Sequence, residues 1–168
     1  ASLAFGACFI FPAQATSPKP GSVASTQARN IATWFPGRMT GTPAEMLSAD
    51  YLRQQFAQMG YQSDIRAFNS RYRYTTKDNH TSWHNVTGST VIAAHEGKAP
   101  QEIVIIAHLD TYAPQSDIDV EKNLGGLTLQ GIDDNAAGLG IMLELADALK
   151  SVPTAYGIRF VATSGEEE

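Results

Sequence analysis

Hydrophobic and polar positions follow three rhythms along this chain, and each rhythm predicts a different kind of element. In "TGTPAEMLSADYLRQQFAQMG" the residues Leu47, Tyr51, Leu52, Phe56 and Met59 recur at three-to-four spacing, which marks one buried helical face. The ends of that helix are also readable: Thr42 as N-cap, Pro43 at the first helical position, Glu45 closing a capping box, and Gly60 as the stop. A shorter helix is expected over 27–35, ended by Pro36-Gly37. Alternation and β-branching then predict strands near 61–68, 72–76 and 85–94.

The third rhythm is the continuous apolar run. "EIVIIAH" (Glu102–His108) and "GIRFVAT" (Gly157–Thr163) have the texture of strands in a sheet covered on both faces. Between them "NAAGLGIMLELADALK" returns to helical spacing, with Leu139, Met142, Leu143, Ala146 and Leu149 on one side. Strand, helix, strand in that order predicts a right-handed βαβ unit. The fold class expected is therefore α/β, with a mixed, mainly parallel sheet covered by helices on both faces.

Composition narrows the function classes. The 168 residues carry a net charge of −5 and a sequence pI of about 5.3, which argues against a nucleic-acid partner. Residues 1–15 are uncharged, mostly apolar and end in Ala13-Gln14-Ala15, the small-x-small pattern of a secretory cleavage site. That run is shorter than the ~20 residues of a membrane span, so export without stable membrane association is expected. A lipidated Cys8 is the competing reading, although the apolar run continues past it through Phe11. Residues 16–26 read as a flexible lead-in, and 27–168 as the domain proper. Cys8 is the only cysteine and falls within the signal, so neither a disulfide framework nor a thiol nucleophile is available to the mature chain.

The polar residues fall where an α/β sheet binds ligands, outside the carboxyl ends of its strands. His108 and Asp110 close the first apolar strand, Glu166, Glu167 and Glu168 follow the second, and Asp133-Asp134 precede the helix between them. Taken singly, a strand-end histidine and an acidic pair before a helix are ordinary structural features. Together, an imidazole and several carboxylates converging on one edge would repel strongly without a cation. Imidazole with carboxylate oxygens suits zinc, and the lack of thiolates argues against a structural cysteine site.

The ordered motifs "AHLDTY", "GIDDNAAG" and "SGEEE" resemble those of the co-catalytic di-zinc aminopeptidases, and the upstream "GRMTGTPAEMLSADYLRQQFAQMGY" resembles the helix that opens their catalytic domain. The resemblance spans residue 31 to residue 168 and implies a three-layer zinc-peptidase fold holding two zinc ions. It implies His108 as a zinc ligand and Asp110 as the carboxylate that fixes its tautomer. Asp133 matches the carboxylate that bridges both metals, with a cis peptide bond to Asp134. Glu166 matches the general base and Glu167 a zinc ligand, leaving Glu168 as a solvated neighbour. The substrate class implied is a peptide or protein with a free amino terminus.

The family pattern needs two further ligands, an aspartate and a histidine, from segments after the glutamates. None of His80, His84 and His95 lies in a matching position, so this 168-residue stretch alone is expected to bind zinc poorly and to be inactive. Two alternatives stay open: a non-catalytic binding module on the same fold, and a related zinc carboxypeptidase or amidohydrolase. Asp117, Asp119 and Glu121 lie after His108, either as a pocket for a basic amino-terminal side chain such as arginine or as a solvated acidic loop.

Overall fold

The computed structural model describes residues 18–122 and 130–168. Helix α1 (Ser22–Trp34) buries Ala28, Ile31 and Ala32. It starts earlier than expected, inside the stretch read as a flexible lead-in, and the reason is not local. The Glu144 carboxylate accepts from the Gly21 and Ala24 amides at 2.7 and 2.8 Å, supplying from a distant helix the cap that the local sequence lacks.

Helix α2 (Pro43–Gln58) forms as its sequence predicts, with the Thr42 hydroxyl accepting from the Glu45 amide at 3.2 Å. The capping box does not close, however. Glu45 is buried and sends its carboxylate across to the sheet, accepting from the Ser89 amide and the Ser164 hydroxyl, both at 2.7 Å. Leu52 and Phe56 are in the core as expected, whereas Leu47 is exposed because Ser48 and Ala49 take the inward positions.

Strands β1 (Gln62–Thr75) and β2 (Thr81–His95) form one long antiparallel hairpin, so the two strands expected over 61–68 and 72–76 are a single element. Strand β3 (Glu102–His108) and strand β4 (Gly157–Thr163) have the predicted bounds and pair in parallel. Between them lie α3 (Asp117–Lys122), a widened turn at Ile132–Ala136 and α4 (Ala137–Leu149). The sheet order is β1-β2-β4-β3, with β2 antiparallel to β4.

The sheet is thus mixed, as expected, but only the β3–β4 pairing is parallel among the described strands. The core also lies on one face. Ala28 and Ile31 of α1, Leu52 and Phe56 of α2, and Leu139, Met142 and Leu143 of α4 pack against Val91, Ala93, Phe160 and Ala162. Phe160 is its centre, stacked on Phe56 at 5.5 Å and edge-on to Tyr61 at 5.4 Å; truncating a ring so placed costs about 3–5 kcal/mol. At Gly140 a methyl group would collide with the Ala24 carbonyl, so glycine lets α1 and α4 approach closely.

The far face of β3 is open among the described residues, with Val104 and the 65% exposed Ile106 on an edge strand. The expected cover on both faces is met on the helical side only. Among the described residues no helix is long and apolar enough to cross a membrane.

Candidate metal centre

The βαβ unit brings three chain segments to one edge. His108 is the last residue of β3, the Ile132–Ala136 turn precedes α4, and the glutamates follow β4. His108 Nε2 lies 2.8 Å from Asp134 Oδ1 and 3.9 Å from Glu166 Oε2. Ligand atoms of His108, Glu166 and Glu167 all lie within 4.8 Å of one another.

On the other side of the ring, Nδ1 is 3.1 Å from the Asp110 carbonyl and 3.7 Å from its carboxylate Oδ1. An Nδ1–H donated to that carbonyl leaves Nε2 as a lone pair aimed at carboxylate oxygens, an arrangement that calls for a proton or a cation between them. No lysine or arginine forms an ion pair with Asp134, Glu166 or Glu167 among the described residues. Burial first, then the neighbouring charges of Asp134 and Glu166, hold the Glu167 carboxyl above its ordinary range, with His108 acting the other way.

Asp110 is fully buried beneath this edge. Its Oδ2 accepts from the Glu167 amide at 3.1 Å, with the Thr40 hydroxyl farther off at 3.4 Å, while Oδ1 has no hydrogen-bond partner. A buried carboxylate with one free oxygen beside an imidazole is the environment of a supporting carboxylate in a metal site. The oxygen and nitrogen donor set and the unanswered negative charge fit a borderline cation such as zinc.

Two expectations shift by one residue. Asp134, not Asp133, reaches His108, and Asp133 is exposed without an ion pair to the ring. The cis peptide bond likewise joins Asp134 to Asn135 rather than Asp133 to Asp134. The reason is the turn: φ/ψ leaves the helical range at Asp134 and Asn135, which swings the Asp134 side chain toward β3. Glu168, expected to be solvated, instead lines a cleft of about 350 Å³ with Thr40, Tyr72, Val86, Pro114 and Val120, its carboxylate oxygens buried. His84 stacks on Tyr72 and His95 packs near Tyr61, so both are packing residues.

The acidic residues after His108 are already engaged. Asp117 accepts from the Tyr74 hydroxyl at 2.7 Å and the Lys77 amide at 2.9 Å, Asp119 from the Ser116 hydroxyl at 2.7 Å, and Glu121 pairs with Lys77. Asp117 and Glu121 fasten α3 to the hairpin, Asp119 closes the start of α3, and the pocket reading loses its free carboxylates.

An α/β domain that gathers an imidazole and carboxylates at the carboxyl edge of a parallel strand pair offers a site for a divalent cation. Residues 90–168 match the model of peptidase family M28. All 168 residues align at 79% identity with the alkaline phosphatase isozyme conversion protein of Escherichia coli strain K12, covering 49% of that relative. Among solved structures, the chain is similar to a glutaminyl cyclase from Fimbriiglobus ruber (TM-score 0.63, 21% identity, 99% of this chain and 50% of that one). It is also similar to a Zn-dependent exopeptidase from Parabacteroides distasonis ATCC 8503 (TM-score 0.62, 18% identity, 88% of this chain and 47% of that one). These two likenesses show the fold. The chain spans about half the length of the relatives it matches.

Proposed function

We propose that the full natural chain is a zinc aminopeptidase that removes amino-terminal residues from peptides or proteins. The observation that carries the reading is the convergence of His108 Nε2 with the carboxylates of Asp134, Glu166 and Glu167 at one strand edge, with no side-chain cation to balance them among the described residues. The match to peptidase family M28 supports amide hydrolysis. His108, Asp134 and Glu167 would hold zinc, with a second ion and further ligands completed by segments beyond this stretch.

Zinc bound there supplies a lowered pKa for water and polarisation of the scissile carbonyl. Glu166, more than half exposed at the rim of the cluster, takes the proton as water oxygen attacks the carbonyl carbon. The same carboxyl then returns that proton to the departing nitrogen as the C–N bond breaks. Asp110 holds the imbedded side of the cluster in place through the His108 ring and the Glu167 amide.

Alkaline phosphatase is the candidate substrate, suggested by what the 79%-identical relative is called. The uncharged apolar residues 1–15 support export and a periplasmic site of action. The test is hydrolysis of aminoacyl-nitroanilides by the full chain, with and without a chelator. Chelator-sensitive turnover that zinc restores is the expected result; turnover indifferent to chelation, or none from a zinc-loaded chain, would overturn the reading.

A further inference from the structure

Arg38 lies in the turn between α1 and α2 and is fully buried, yet it spends its guanidinium on carbonyls rather than on a carboxylate. Nε donates to the Leu109 carbonyl at 3.0 Å, Nη1 to that of Gln130 at 2.6 Å, and Nη2 to that of Gly131 at 3.0 Å. Its own carbonyl accepts from the Thr111 amide at 3.1 Å. One rigid fork of N–H groups therefore spans two loops that are far apart in sequence.

Those loops carry the two residues that meet at 2.8 Å. Leu109 sits between His108 and Asp110, so Arg38 grips that segment on both sides of Asp110, through Leu109 and Thr111. The Gly131 carbonyl also accepts from the Ala136 amide at 2.8 Å, closing the widened turn that presents Asp134. Gly131 has φ of 50°, and a methyl there would stand 3.0 Å from Arg38 Nη2 and press on Thr111, so the join is close on both sides. Burial lowers the Arg38 pKa to about 10, with Asp110 acting the other way, and the group stays charged at neutral pH.

We infer that Arg38 is a positioning residue that sets the separation of His108 and Asp134 by clamping their two loops together. The inference rests on the metal-peptidase reading of that site. A lysine keeps the charge, but its single ammonium on a flexible stem cannot hold the same three carbonyls in one plane.

The experiment is a cobalt titration of the full natural chain and its Arg38→Lys variant, reading Co(II) affinity, the d–d absorption spectrum and the thermal melt. The expected result is affinity weaker by about 10–100-fold in Arg38→Lys, as for other supporting partners of metal ligands, with an altered spectrum. A purely structural role would lower the melting temperature and leave spectrum and affinity unchanged, and that outcome overturns the inference alone. No cobalt bound by the wild-type chain would overturn the metal reading, and the inference with it. If Arg38→Lys does not fold, Gly131→Ala disturbs the same join with the guanidinium intact and is held to the same two outcomes.

Discussion

Two acidic clusters stand after β3, and their carboxylates are answered in different ways. In the first, Asp117, Asp119 and Glu121 each meet a hydroxyl, an amide or an ammonium from the hairpin or from Ser116 just ahead of α3. The Asp117 carboxyl is accordingly held below its ordinary range, mainly by the Tyr74 hydroxyl. In the second, Asp134, Glu166 and Glu167 gather around one imidazole, and the Glu167 carboxyl is pushed up by burial and by its neighbours' charge. Density of acidic residues is similar in both. What distinguishes a site from a fastening is whether the chain supplies the balancing donors.

The sharpest way to break that contrast is Glu166→Gln in the full chain. Hydrolysis should fall by about 10²–10⁴-fold while metal content, read by mass spectrometry, stays at the wild-type level. Retained turnover would return Glu166 to the class of solvated carboxylates. The next effect in size separates the adjacent aspartates. Asp134→Ala should weaken zinc binding by at least the ~10–100-fold that follows loss of a mere supporting partner, and Asp133→Ala should leave it within about twofold. Equal losses in a zinc-competition titration would contradict the placement of Asp134.

Smaller effects are expected in the first cluster. Asp117→Asn with Asp119→Asn should leave zinc affinity and the ratio of Arg to Leu substrate turnover unchanged, and should lower the melting temperature modestly by loosening α3. A collapse of the Arg preference would restore the pocket reading. The smallest effect concerns Glu45, whose carboxyl is raised by burial against the pull of its hydrogen bonds from Ser164 and the Ser89 amide. A raised acid stabilises the fold below its unfolded pKa of ~4.3, and that contribution is lost as pH rises through the folded value. Glu45→Gln keeps an acceptor for both donors, so melting curves against pH should show this loss in the wild type and not in the variant.

The legible parts of this fold were those written in local chemistry. Thr42-Pro43 fixed the start of α2, and the apolar runs fixed β3, α4 and β4. The edge where His108 and the glutamates meet followed from strand order alone. What local chemistry could not carry were long-range partners: Glu144 capping α1, Glu45 crossing to Ser89, and Arg38 joining two loops. Asp133 and Asp134 posed a different problem, because two identical side chains side by side leave a one-residue ambiguity that only the backbone of the turn resolves. The lone arginine in "FPGRMTG" was the one available signal for the clamp, and nothing in the sequence says which carbonyls it reaches.

The central claim is that the strand-edge cluster is held together by metal, and native mass spectrometry of the full natural chain tests it most directly. Two zinc ions on the wild type, with loss of metal in His108→Ala, is the result the account predicts. A folded wild-type chain that carries no metal, even after incubation with zinc, would contradict it.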